Sequence, residues 1–415
     1  MLSHIIIWSI AILSTAGVII RPYNLPEAIW VVAGSLLLLI MQLILPQEAL
    51  LAINKGTDVY LFLTGMMLLA EVAREEKLFD WFAAHATRHA TGSGKKLFFL
   101  IYAVGIVVTT FLSNDATAVV LTPAVAAAVK SAKVEKPLPY LFICAFIANA
   151  ASFVLPISNP ANLVIYRSRM PHLSQWISIY FLPSLFAISV TYFLLYLTQR
   201  KYLKAKIESE INIPKLSIGG KITGIGIIIT AVVLMISSAN GIQLGLPTAI
   251  CGACITGIVL IVGDKRPGMI IRGVSWSVLP LVAGLFIIVE ALNKTAFINV
   301  ISKAVRDGAA KSVTATAWSS GTIIAFVSNL TNNLPSGLIA GNIVRTGSVP
   351  EIIRSFILVG VDLGPNLSVT GSLATILWLV ALRREGENVS GITFFKLGII
   401  IMIPALFAAF AALYI

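Results

Sequence analysis

Charge is the first thing this chain is short of. Asp, Glu, Lys and Arg make up 12% of its 415 residues while 58% are hydrophobic; a soluble domain carries roughly a quarter charged residues. That shortage excludes an ordinary water-soluble fold and a disordered chain alike. Cysteine is nearly absent too: the three are Cys144, Cys251 and Cys254, all inside apolar runs, which excludes a disulfide framework. Cys251 and Cys254 have a C-x-x-C spacing, but with no third or fourth ligand nearby they read as packing residues, so no metal site and no cofactor follows. Histidine is limited to His4, His85, His89 and His172. No Ser/His/Asp set can be assembled from these, which argues against a hydrolase. His85 and His89 are four apart without the glutamate of a zinc protease between them, and fit the polar face of an interfacial helix. "HATGSGKK" lacks the first glycine of a phosphate loop and follows no strand, so it reads as a basic turn. Acidic residues are outnumbered 18 to 30 by basic ones. In a chain this apolar the excess reads as loop bias and not as a nucleic-acid surface.

Long apolar runs are what the sequence has in quantity. A bilayer core about 30 Å thick needs roughly 20 apolar residues per helix, and about ten such runs are separated by short polar turns. They are continuous instead of alternating, which predicts helices and not a barrel. The run from His4 to Ile20 has no basic leader and no small-residue cleavage site, so it is expected to be a retained span. Two further segments, near 95–130 and 312–344, carry polar interruptions and are expected to enter and leave the membrane on one side. With the basic stretch at 201–221 placed inside, about twenty-one of the thirty Lys and Arg fall on the cytoplasmic side, and both termini face out.

The halves repeat. Gly65 and Gly284, like Glu71 and Glu290, are 219 residues apart; "LSND" at 112–115 pairs with "LTNN" at 330–333 at a spacing of 218, and Asn149 with Asp362 at 213. An odd number of spans per half would invert the second half relative to the first, and inverted repeats place a binding site near the bilayer midplane. The expectation is an all-α polytopic membrane protein of two inverted repeats, each of about five transmembrane helices with one re-entrant hairpin and one broken helix. The first repeat is expected over 1–200, the linker over 201–221 and the second repeat over 222–415.

Polar residues in the middle of apolar runs mark where the helices break, because backbone groups freed by a break must line protein or a watery cavity. "FLSNDATAVVLTPAV" and "FVSNLTNNLPSGLIAG" read as hairpin tips; "LPISNPANL" and "GPNLSVTGSLAT" read as unwound spans. Asp115 and Asp362 are the carboxylates best placed to carry a driving proton, since intramembrane acids are costly and usually functional, and desolvation shifts carboxylates toward neutral titration. The plainer reading is that each caps a broken helix. Glu71 and Glu290 sit near span ends beside Arg74 and Lys294, where a structural ion pair or snorkelling is the favoured reading.

These motifs, above all "GVDLGPNLSVTGSLATILWL" with "SNPANLV" and "TNNLPSGLIAG", resemble the ArsB-type arsenite/antimonite efflux permeases of the ion transporter superfamily, over nearly the whole length. The resemblance implies export of arsenite and antimonite across the inner membrane of a bacterium or archaeon, driven by protons or with a separate soluble ATPase partner. Related sodium/proton, silicate and dicarboxylate carriers share the broader pattern. Arsenite near neutral pH is the uncharged triol As(OH)3, whose site needs hydrogen-bond partners and not a charge. Asn114, Asn149, Ser158, Asn159, Asn162, Asn332, Asn333, Asn366, Ser372 and Thr375 can supply them, with half-helix N-termini adding donors. A sodium/proton antiporter would use the same oxygens, a channel would need a continuous polar pore, and a scaffold would tolerate their loss.

Overall fold

The computed structural model describes residues 2–20, 22–166, 170–208, 213 and 215–415. Among these the chain forms helices and no named strand. The first series runs α1 (Leu2–Ile20), α2 (Glu27–Ile40), α3 (Pro46–Asn54), α4 (Thr57–Glu75), α5 (Leu78–His89), α6 (Gly94–Leu112), α7 (Asn114–Ala116), a π-helical turn at Thr117–Leu121, α8 (Thr122–Ser131), α9 (Leu138–Ala150), α10 (Pro160–Tyr166) and α11 (Leu173–Gln199). The second runs α12 (Ile218–Ala239), α13 (Gly245–Val262), α14 (Pro267–Gly273), α15 (Val278–Asn293), α16 (Phe297–Lys311), α17 (Val313–Thr331), α18 (Asn333–Gly347), α19 (Glu351–Leu363), α20 (Leu373–Arg384) and α21 (Gly391–Ala412).

The two series match element for element. Shifting α6 by 219 residues gives the bounds of α17, and shifting α9 by 213 gives those of α19. The tips correct one detail of the sequence register. The hairpins turn at Ser113 and Asn332, also 219 apart, so Asn114 pairs with Asn333 and not with Asn332. Helix α12 begins at Ile218, inside the stretch expected as a linker, because Ser217 caps it by accepting the Gly220 N–H at 2.8 Å. Residues 209–212 and 214 of that stretch, and 167–169 at the end of the expected 137–168 span, lie outside the described residues.

Six helices among the described residues are long and apolar enough to cross a membrane, or seven if α3 and α4, bent by 51°, count as one span. Each of the ten stretches expected as spans holds a helix or a broken helix, namely α1, α2, α4, α9 with α10, α11, α12, α13, α15, α19 with α20, and α21; several are short or broken, so length and apolarity alone pick out fewer. Helix α6 does reach spanning length, yet its hairpin returns to where it started. Ile207 N–H bonds the Gly92 carbonyl at 3.1 Å and Glu208 N–H the Ala132 carbonyl at 3.0 Å, so one short stretch holds both feet of the hairpin. Helix α16 does the same for the second hairpin: a Cβ at Gly308 would press on Thr316 near the start of α17, and Ser302 Oγ donates to the Ile343 carbonyl of α18 at 3.1 Å.

Ion pairs mark two faces. On the linker face Glu76 receives Lys265 at 2.6 Å and the Ser217 hydroxyl; on the other, Lys55 meets Glu290 at 2.8 Å and Lys294 meets Glu48 at 2.5 Å. Helix α4 runs from one to the other. It packs on α13 through small residues: a Cβ on Gly252 would sit 2.5 Å from the Gly65 carbonyl oxygen.

Candidate transport site

Both broken helices restart on a capped N-terminus. After α9 the chain unwinds through a 3-10 turn at Pro156–Ser158, and Asn159 Oδ1 accepts the Ala161 N–H at 3.0 Å to open α10. After α19 comes a 3-10 turn at Gly364–Leu367, and Ser372 Oγ accepts the Thr375 N–H at 3.1 Å to open α20. Freed carbonyls must find donors. Asn162 Nδ2 donates to the Ser152 carbonyl at 2.9 Å and, 213 residues on, the Thr375 hydroxyl donates to the Val369 carbonyl at 2.8 Å. Each unwound stretch is also tied to its own hairpin. Ser158 Oγ donates to the Thr110 carbonyl at 3.0 Å, and Thr370 Oγ1 to the Asn329 carbonyl at 3.0 Å; Thr110 and Asn329 are again 219 apart.

The halves are joined where the broken helices meet. Asn149 Nδ2 donates to Asn366 Oδ1 at 3.0 Å, Asn366 Nδ2 donates to the Phe146 carbonyl at 2.9 Å, and Asn159 Nδ2 donates to Asp362 Oδ1 at 2.8 Å. All four side chains are buried, and among the described residues Asp362 Oδ2, Asn149 Oδ1 and Asn162 Oδ1 have no hydrogen-bond partner within 3.5 Å, with the Ser152 hydroxyl beside Asp362. A buried acceptor left bare costs about 1–3 kcal/mol, so these oxygens are where a proton or a polar solute gains most.

The hairpin tips frame two cavities. Ser113 turns with φ 114° and ψ 162°, Asn114 Oδ1 accepts the Asp115 N–H at 2.9 Å, and Thr109 and Thr117 share a hydrogen bond of 2.8 Å across the neck. Asp115 faces a cavity of about 80 Å³ with Ser113, Met66, Glu71, Ser275 and Leu373. A water needs about 10–15 Å³ of such space, so the cavity holds several water-sized groups, or a triol of four heavy atoms. At the other tip Asn332 (φ 72°) borders a larger, mostly apolar cavity of about 280 Å³ with Pro335 and, again, Leu373. Both tips therefore converge on the first residue of α20. The tips border two separate cavities, while Asn149, Asn159, Asn366 and Asp362 are engaged with one another at the crossing.

Of the residues named from sequence, Asn149, Asn159, Asn366 and Asp362 cluster at the crossing, while Ser158, Asn162, Ser372 and Thr375 hold the unwound backbone. Asn332 lines the larger cavity, Asp115 the smaller, and Asn114 and Asn333 are buried beside their tips. Sequence reasoning passed over Ser113, Ser275 and Asn329. It set Glu71 aside as an ion-pair residue; Arg74 does clasp it at 2.5 and 3.0 Å, yet it also borders the smaller cavity.

Two vestibules lead toward this centre. On the linker face a recess of about 880 Å³ beside Arg383, Asn388 and Ser390 reaches Val369 and Thr370 of the unwound segment. On the other face a recess of about 550 Å³ beside His172, Gln175 and Glu351 does not reach the unwound residues.

Paired hairpins, paired broken helices and a small cavity that holds Asp115, Glu71, Ser113 and Ser275 among apolar side chains fit a polytopic membrane transporter. The profile of the arsenical pump membrane protein family matches residues 6–415, and the chain belongs to that family. It is 28% identical over 360 residues to the arsenical pump membrane protein of Yersinia enterocolitica, covering 84% of each chain, and 26% identical over 417 residues to that of Escherichia coli K12, covering 98% of this chain and 97% of the relative. Its fold is shared with the YdaH transporter of Alcanivorax borkumensis (TM-score 0.58, 15% identity, 88% and 86% coverage) and with MtrF of Neisseria gonorrhoeae (TM-score 0.54, 13% identity, 86% and 80% coverage).

Proposed function

We propose that this protein exports arsenite, and antimonite with it, across the bacterial or archaeal inner membrane in exchange for protons. Family membership supports the arsenical substrate. The observation that carries the coupling is Asp115 facing a solute-sized cavity with Asp362 buried at the helix crossing. Intramembrane acids without a cation partner are natural proton carriers. The triol occupies the smaller cavity, where Ser113 and Ser275 offer hydroxyls; protonation of Asp115 or Asp362 and arsenite binding exclude one another. The remaining substrate contacts come from Asn114, Asn332 and Asn333 at the tips and from the free oxygens of Asn149 and Asn162 as the site opens.

In this reading the two halves, over 1–200 and 222–415, are inverted repeats, and the basic linker face is cytoplasmic. The deeper recess, reaching Thr370, then opens inward and the shallow one outward, as alternating access requires of one of its two states. A separate ATPase is not needed for this cycle. The test is arsenite uptake into everted vesicles with an imposed pH gradient, acid inside, and sodium varied independently. Uptake that follows the pH gradient and ignores sodium supports the reading; uptake that follows sodium points to a sodium-coupled carrier instead.

A further inference from the structure

We propose that Glu351, Tyr166, Tyr180 and Ser355 form a proton inlet that links the shallow vestibule to Asp362 while closing that route to solute; this rests on the proton-exchange reading above. Glu351 borders the vestibule beside His172. Tyr166 donates to Glu351 Oε1 at 2.7 Å, the hydroxyls of Tyr166 and Tyr180 are 2.8 Å apart, and Tyr180 donates to Ser355 Oγ at 3.3 Å. The chain thus begins at a half-exposed carboxylate and ends at fully buried hydroxyls. Ser355 and Asp362 are seven residues apart on α19, on one face and about 10 Å along the axis. Tyr180 lies within electrostatic reach of Asp362, whose Oδ2 has no hydrogen-bond partner among the described residues.

No solute the size of As(OH)3 passes this point. The Trp176 and Tyr180 rings meet at a tilt of 43° with centroids 4.4 Å apart, Trp176 packs on Tyr166 at 5.5 Å, and Arg354 lies 5.2 Å over the Tyr166 ring. A proton needs no such space. When the Glu351 carboxyl gives its proton to the Tyr166 oxygen, Tyr166 passes its own to Tyr180, Tyr180 passes its own inward, and each phenol ends neutral. The last transfer, from Tyr180 to Asp362 Oδ2, requires transient hydration of the gap between them. Among the described residues the charged groups around Glu351 are Arg354, paired with it at 2.6 Å, and His172 across the vestibule, whose Nδ1 meets the Ser238 carbonyl at 3.0 Å; Arg345 on α18 turns instead to Asn342 at 2.5 Å.

The other half provides an internal control. At the 213-residue spacing that superimposes the bounds of α9 and α19, Glu351, Arg354, Ser355 and Tyr166 correspond to Leu138, Leu141, Phe142 and Leu379. The same fold is built there from apolar side chains. The residue matching Asp362 is Asn149. The chain, drawn from α10 and α11 of the first half and α19 of the second, has apolar residues at the positions matching Glu351, Ser355 and Tyr166, and an amide in place of the carboxylate, which a purely architectural role does not explain.

The test uses the full chain in everted vesicles, comparing wild type with the double variant Tyr166→Phe/Tyr180→Phe and with Glu351→Gln. Two modes are read: arsenite uptake driven by an acid interior, and arsenite–arsenite exchange without a gradient, which needs no proton. The inlet predicts at least a tenfold loss of gradient-driven uptake with exchange within twofold of wild type. Gradient-driven uptake within twofold of wild type in the double variant overturns it. So does loss of both modes in normally inserted protein, which makes the network scaffolding. A wild-type protein indifferent to the gradient sinks the proton-exchange reading itself, a result distinct from either.

Discussion

Asn159, which opens α10, donates its amide to Asp362 Oδ1 near the end of α19 at 2.8 Å, so one hydrogen bond joins the cap of one broken helix to the buried carboxylate of the other. The charge state of Asp362 is thereby felt at the restart of α10. Asp362→Asn keeps the shape but places an amide against an amide and removes the titrating group. Gradient-driven arsenite uptake in everted vesicles is expected to fall about 100-fold, while Asp362→Glu, which keeps the acid, retains measurable coupling.

The Asn149–Asn366 pair is a structural joint. Asn366→Ala strips the Phe146 carbonyl of its side-chain donor and Asn149 Nδ2 of its acceptor, both buried. The Phe146 carbonyl keeps its helical bond within α9 while Asn149 Nδ2 is left bare, so the loss is about 1–3 kcal/mol. The thermal unfolding midpoint of the purified protein should drop clearly, and adding Asn149→Ala should cost less than the sum of the two single changes, because they share one bond.

The hairpin tips use backbone that side chains resist. Asn332 holds φ 72° with ψ 152°, a region in which a non-glycine residue costs about 1–3 kcal/mol. Asn332→Gly is therefore expected to keep the fold, trading the bond to Leu334 N–H for relief of strain. Asn332→Val should lower the unfolding midpoint well below that of the glycine variant.

Ala116 lines the smaller cavity and is itself buried. Ala116→Leu directs three more carbons into about 80 Å³ of space, enough to exclude a triol. Arsenite uptake should fall at least tenfold with the unfolding midpoint within a few degrees of wild type. Undiminished uptake would remove this cavity from the transport path.

Much of the architecture was legible because it follows from solvent and symmetry. The shared spacing of Gly65 with Gly284 and of Glu71 with Glu290 announced a duplication, and polar residues inside apolar runs announced the breaks. The tip register was off by one because setting "LSND" against "LTNN" matches both a leucine and an asparagine by identity, whereas the backbone turn makes Ser113 the partner of Asn332. Helix length alone undercounts the spans, because α9 with α10 and α19 with α20 are each broken midway.

The site was legible as a neighbourhood and not as a division of labour. Asn149 and Asn366 are 217 residues apart, and nothing local shows that each will satisfy the other. The Glu351, Tyr166 and Tyr180 cluster left no local mark for the same reason: its members lie on three helices.

The central claim is that an acid at the helix crossing exchanges protons for arsenite. Its most direct measurement is the internal pH of proteoliposomes, without an imposed gradient, when arsenite is added outside. Wild-type protein should move protons opposite to arsenite in proportion to its uptake, and Asp362→Asn should abolish that pH change. Arsenite uptake with no pH change in the wild type, or an equal pH change in the variant, would contradict the account.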